Sequence, residues 1–293
     1  MGEDDGAGIQ AAGRALFDAG WKFDLQEALD IAIHDRGTHP EAGDLWVWVS
    51  AAVLGDRFSL PRSVLENGQL GRSAAGAYLE YLARNRRGLR LRWFIRRNRA
   101  WLRADTLSWA ITGRALLQAR LARQACAWLA GWRKREGLKP WMLFNLVAAL
   151  RDGDRSREAT EVGCYAASLP RDHTTPCHHV WLAADAALAR RREEASRYLE
   201  QVTQTRMDPQ YRYLQHLARA ILRLEEPDES ASGARCREAL EEVKSAFAVM
   251  RNVPRHRALR RYARRALWRL ASARTHQPAF AAMLWIWWWI TLP

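Results

Sequence analysis

One pattern of small and large residues occurs three times in succession between Thr106 and Val202, and each occurrence reads as a pair of antiparallel helices. In the first, Trp109, Thr112, Gly113 and Leu116 are followed nine residues later by Ala125 and four after that by Leu129. Residues three and four apart share a helix face, so the first four form one stripe and the last two another. Gly113 lets a second helix approach closely, and the small Ala125 is the expected other half of that crossing. The second copy sets Leu143, Leu146, Val147 and Leu150 at the same offsets, then a Gly153-Asp154 turn, then Ala159. The third has His179, Leu182, Ala183 and Ala186, then Ala195 and Leu199. Pro140, Pro176 and Pro209 stand just ahead of successive first helices, where a fixed φ and a missing N–H do no harm. Neither helix of a pair can bury its stripe alone.

These residues resemble the tetratricopeptide repeat, in which W-x2-L-G-x2-Y on one helix is followed by A-x3-F on the next. The similarity is specific over Thr106–Leu199, weaker in a unit on either side, and touches most of the chain from Leu25 to about Val253. It implies an all-α fold, an α-solenoid of TPR-like antiparallel helix pairs wound into a right-handed superhelix with a concave groove for a peptide or a partner helix. It carries no catalytic residue and no cofactor with it.

Around this centre the sequence divides into a disordered lead-in over 1–20, a helical repeat domain over 21–276 and an apolar tail over 277–293. Leu25, Ala28, Leu29 and Ala32 read as the second half of a repeat, and Trp46, Val49, Ser50 and Val53 as the first helix of the next. From Phe58 to Gly71 the pattern lapses, with a Pro61 start and an Asn67-Gly68 turn, and helical spacing resumes from Ala74 to Leu82. Downstream, Leu214, Leu217, Ala218 and Ile221 begin a fourth unit. The acidic, proline-containing run Glu225–Ser230 interrupts it, and Ala239 and Val243 resume it.

With 46 Lys and Arg against 32 Asp and Glu, the chain carries a net charge of +14, so its surface attracts anionic partners. Cys126, Cys164, Cys177 and Cys236 form no C-x-x-C pair and fit reduced thiols in a cytosolic chain rather than a disulfide framework. Glu3, Asp4 and Asp5 leave no basic n-region for a secretory signal, and Gly2 lacks the Ser or Thr of a myristoylation site.

Nine arginines and no acidic residue lie between Arg84 and Arg103, interleaved with Leu89, Leu91, Trp93, Phe94, Ile95, Trp101 and Leu102. Two readings fit: a repeat helix with an aromatic buried stripe and a solvated arginine face, or a patch for phosphate groups or an acidic protein surface. On the second, Arg92, Arg96, Arg97 and Arg99 are the candidate binding residues. The run Asp172, His173, Thr174, Thr175, Pro176, Cys177, His178, His179 holds metal-ligand residue types. Consecutive ligands on a helix start point in different directions, so the expectation is a loop capped by Thr174 or Thr175, without metal.

Beyond Glu242 no acidic residue occurs. Leu259, Tyr262, Ala263, Ala266, Leu267 and Leu270 share one face of a predicted helix, and Arg257, Arg260, Arg261, Arg264, Arg265 and Arg269 the other, a basic amphipathic helix. Of these, Arg257, Arg261, Arg264 and Arg265 are candidate binding residues. So are Trp285, Trp287, Trp288 and Trp289 of the tail Ala279–Pro293, which is too short to span a bilayer and reads either as a cap on the last repeat or as an interfacial anchor.

Three functions follow as expectations. The first is a non-enzymatic scaffold or adaptor in the cytoplasm that holds a protein or peptide partner in its groove. The second is a membrane-surface recruitment factor, peripheral to the membrane, whose basic helix and Trp-rich tail dock on an anionic membrane surface or a membrane protein. An RNA-binding repeat is the weakest, since charge alone suggests nucleic acid. No carboxylate pair, nucleophile set or phosphate-binding glycine loop points to an enzyme.

Overall fold

Four turns with the same hydrogen bonding recur along the chain. Their central residues, Arg86, Arg120, Asp154 and Arg190, have φ of 56°, 62°, 61° and 62° and are spaced 34, 34 and 36 residues apart. In each, the left-handed residue donates its N–H to the carbonyl three back, and the next residue donates to the one five back, as in Arg120→Leu117 and Leu121→Leu116. This is the Schellman closure, which satisfies two orphan carbonyls at a helix end. A non-glycine residue in this conformation costs about 1–2 kcal/mol, so the turn is held by the helices on either side of it. The sequence places the second turn at Gly153-Asp154, and it is Asp154, not Gly153, that takes the positive φ.

The computed structural model describes residues 47, 59–60, 65–66, 68–202, 207–225, 232–250 and 257–272. The lead-in over 1–20, the helix from Leu25, the Trp46 stripe apart from Val47, and the tail over 277–293 lie outside them. The described residues form α-helices and one 3-10 turn joined by short turns and bends, with no strand among them. The chain divides into two compact units, Met1–Glu136 and Gly137–Pro293.

In the first unit, α1 (Gly68–Arg84) and α2 (Gly88–Arg97) are followed by the short α3 (Arg99–Ala104), then α4 (Thr106–Gln118) and α5 (Ala122–Leu129). The break between α2 and α3 falls at Asn98, whose amide nitrogen Nδ2 donates 3.0 Å to the Phe94 carbonyl, a helix-end bond that competes with continuation. α4 starts at Asp105, whose carboxylate accepts the Ser108 N–H at 2.8 Å. α1 packs on α2 and on α4, and α4 on α5.

The α4/α5 crossing is locked by two tryptophans, each donating its indole N–H to the other's carbonyl: Trp109 to Trp128 at 3.0 Å and Trp128 to Trp109 at 2.9 Å. Both are buried. Trp128→Phe removes the indole donor, while the Trp109 carbonyl, inside α4, keeps its helical bond from the Gly113 N–H, so a loss of about 0.5–1.5 kcal/mol is expected in thermal unfolding. An unchanged midpoint would show that the indole bond contributes nothing to the crossing. Gly113 makes the close approach predicted for it, and its nearest neighbour on the second helix is Leu129. A Cβ built there would lie 2.5, 2.6 and 2.7 Å from three side-chain carbons of that residue, so the glycine seats Leu129.

In the second unit, α6 (Pro140–Asp152) pairs with α7 (Ser156–Ser168), α8 (Thr175–Leu188) with α9 (Arg192–Glu200), and α10 (Pro209–Leu224) with α11 (Ser232–Met250). Pro occupies the first turn of α6, α8 and α10, as expected. α7 also packs on α8, and α8 on α10, so adjacent pairs stack in a manner compatible with a helical repeat. Ala239 and Val243 are buried on α11, the resumed half of the fourth pair. A last helix, α12 (Arg257–Ser272), completes the unit.

Candidate functional site

The apolar stripe read from the sequence in α12 turns inward: Leu259, Tyr262, Ala263, Ala266, Leu267 and Leu270 are all buried. What it turns toward was not legible. α12 packs on α6, α8 and α10, three first helices of successive pairs, and most extensively on α10. The face that the resemblance assigns to a partner is therefore covered, in this unit, by the chain's own basic helix.

Two arginines fix α12 there. Arg261 donates to the carbonyls of Arg151 and Asp152, the latter at 3.2 Å, and its Nε lies 3.4 Å from an Asp154 carboxylate oxygen. Arg269 donates to the Leu188 carbonyl at 2.7 Å and to the Glu225 carboxylate at 2.8 Å. Those carbonyls are the last ones of α6 and α8 and carry the negative end of the helix dipole; that of Arg151 also accepts the Asp154 N–H of its turn. Eight residues of helix advance about 12 Å, so the two guanidinium groups reach the ends of two different helices.

Beneath α12 lies a buried ion pair. The guanidinium of Arg151 holds both oxygens of Asp185, at 3.1 and 2.6 Å, and its carbon sits 4.1 Å from the centre of the Trp181 ring. Thr160 donates its hydroxyl to the same carboxylate at 2.7 Å. Trp181 meets Tyr262 edge-on at 6.2 Å. Burial pushes the Tyr262 phenol far above its ordinary value, with Asp185 adding to the effect.

The Asp172–His179 run is a helix start, capped differently from the expectation. Thr174 makes no side-chain cap bond, and Thr175 takes part only reciprocally, its hydroxyl oxygen accepting the Asp172 N–H at 3.0 Å, while the Asp172 carboxylate serves the helix start. One of its oxygens accepts from the Thr174 N–H and hydroxyl, both at 2.7 Å, and the other from the Trp141 N–H at 2.9 Å. Burial raises the Asp172 carboxyl, but these bonds outweigh it and hold the group below its usual range. His178 is buried with Nε2 3.1 Å from the Pro140 carbonyl, which can only accept, so Nε2 carries the proton. Among the described residues no group of three or more His, Cys, Asp or Glu side chains is placed to hold a metal ion. Burial lifts the Cys177 thiol to about 12, away from any thiolate chemistry at neutral pH.

Desolvation lowers His178 from 6.5 to about 4. The folded form therefore keeps it neutral while the unfolded chain takes up a proton, so its stabilisation is complete above pH 6.5 and fades as pH falls toward 4. In urea melts, a His178→Gln chain is expected to lose less stability across that window than the parent. Equal slopes would mean that His178 is solvated.

The candidate residues separate as follows. Arg261 is engaged with its own chain, whereas Arg264 and Arg265 are exposed. The side chain of Arg257 and the residues Trp285, Trp287, Trp288 and Trp289 lie outside the described ones. In the first unit Arg92, Arg96, Arg97 and Arg99 are all exposed on α2 and α3, and α2 buries Leu91, Phe94 and Ile95. Of the aromatic stripe expected there, Phe94 is inside, but Trp93 stands out in solvent at 58% exposure. The sequence reading did not select Arg151, Asp185, Arg269 or Glu225. Arg151 and Arg269 give a faint signal, as arginines in the last turn of a helix and on a basic stripe, while Asp185 gives none.

No family model, curated protein or solved structure matches the chain. No helix among the described residues is long and apolar enough to cross a membrane.

Proposed function

We propose that the chain is a non-enzymatic, tetratricopeptide-like scaffold of the cytoplasm, a right-handed superhelix of helix pairs whose first-helix face receives an amphipathic helix of another protein. One observation carries this reading: that face already holds such a helix, α12, laid over α6, α8 and α10 with its apolar stripe inward and Arg261 and Arg269 on the helix ends. A helix seated in an apolar groove is a common mode of peptide recognition, and α12 defines the occupant as basic and amphipathic. The test is a labelled peptide of residues 257–272 offered to the full chain and to a chain with Tyr262→Ala and Leu267→Ala, which loosen the resident helix. Stronger binding to the loosened chain is expected. No binding to either folded chain would overturn the reading.

The outward face of α12 favours the membrane-surface alternative. Arg264 and Arg265 are exposed there together with Trp268, at 63%. Basic residues near an anionic leaflet each add up to about 1 kcal/mol, and tryptophan partitions to the headgroup boundary. Co-sedimentation with anionic vesicles, with and without residues 278–293, tests it: recovery should fall when the tail is removed, and equal recovery would count against docking.

A further inference from the structure

The outward arc of α2 combines charge and apolar side chains in a way the buried core does not need. At 100° per residue, Arg92, Arg96, Leu89, Trp93 and Arg97 follow one another around a continuous exposed arc, opposite the buried Leu91, Phe94 and Ile95. Leu89 is 81% exposed and Trp93, one turn on, 58%. Arg99 extends the basic edge at the start of α3. The anchoring of Leu91, Phe94 and Ile95, with Phe94 edge-on to Tyr78 at 5.0 Å, makes the arc a fixed surface rather than a loose helix.

We infer that this arc is a docking surface for an acidic, amphipathic segment of another protein. Four exposed arginines in a stretch without a single acidic residue call for carboxylates, which guanidinium forks bind in pairs. Leu89 and Trp93 call for apolar side chains between those carboxylates, one helical turn apart. Nucleic acid satisfies the first demand and not the second: it offers nothing aliphatic to cover Leu89. The Arg97 guanidinium already lies 5.2 Å from the centre of the Trp93 ring, so one ring face is taken and is not free for a base to stack upon. The same contact holds the Arg97 fork in place before a partner arrives, which reduces the ordering cost of binding. This surface lies in the first unit and does not depend on the reading of α12.

The experiment is fluorescence anisotropy on the full chain with three probes at physiological salt. They are a Glu/Leu peptide patterned as an amphipathic helix, a scrambled peptide of the same composition, and a random-sequence single-stranded RNA. The patterned peptide should bind, the scrambled one about tenfold more weakly, and the RNA more weakly than the patterned peptide. Trp93→Ala and, separately, Arg96→Glu should each reduce peptide affinity about tenfold, a loss of about 1.4 kcal/mol, while leaving the melting temperature unchanged because both side chains are exposed. Equal affinity for patterned and scrambled peptides, tighter binding of the RNA, or peptide affinity unaltered by both substitutions would overturn the proposal.

Discussion

Asp185→Ala is expected to destabilise the second unit by about 3 kcal/mol, the lower end of what is lost when one member of a buried ion pair is removed. Arg151 is 5% exposed and gives both terminal nitrogens to this carboxylate, while its Nε finds no partner. Without Asp185 the guanidinium stays over the Trp181 ring, charged, nearly buried and without its counterion. The Thr160 hydroxyl loses its acceptor on Asp185 as well. The Asp185 side chain retains 18% exposure, which lets some water enter and keeps the cost from reaching the top of the range. Replacing both partners, as in Arg151→Met with Asp185→Leu, removes the charge along with its counterion. That chain should recover most of the loss, because an apolar pair of similar volume is often no less stable than the ions it replaces. Calorimetry is the suitable measurement, since the two units can melt separately and a single-probe midpoint would mix them. A single variant as stable as the parent would mean that the pair is solvated.

Those residues also show where a sequence stops being informative. Periodicity reports which face of a helix is buried, and it located the inward stripes of α4, α6, α8, α10 and α12 correctly, residue by residue. It says nothing about which helix lies against that face. α12 meets α6, more than 100 residues earlier, through backbone carbonyls that have no side-chain signature. Charged residues are normally solvent-facing, so nothing in the sequence marks Arg151 and Asp185, 34 residues apart, as a buried pair. Local chemistry was misassigned for a related reason. Asp, Thr and Thr stand within four residues of one another at the start of α8, all able to cap. Only the position of α6, whose Trp141 amide also needs an acceptor, selects Asp172. The recurring turns were half legible: their spacing follows from the stripes, but the left-handed residue is an arginine at three of the four, where glycine would be the expected mark.

Gly113→Leu should cost the first unit about 3 kcal/mol, near the upper limit usual for overpacking, and even Gly113→Ala should be unfavourable. A real Cβ cannot sit 2.5–2.7 Å from Cδ2, Cγ and Cδ1 of Leu129, and Leu129 has nowhere to retreat, being fully buried beside the Trp109–Trp128 pair. Ordinarily an alanine inside a helix is favoured over glycine by about 0.5–1 kcal/mol, so the sign of the effect reports the packing. Gly163, 50 residues on and likewise buried in a helix, supplies the control. A Cβ there would meet only Leu182, at 3.5 Å and beyond, which is ordinary contact. Gly163→Ala should therefore raise the melting temperature while Gly113→Ala lowers it. If both alanines stabilise, α4 and α5 are not held as closely in solution as the Leu129 seat requires, and the register of the first pair must shift.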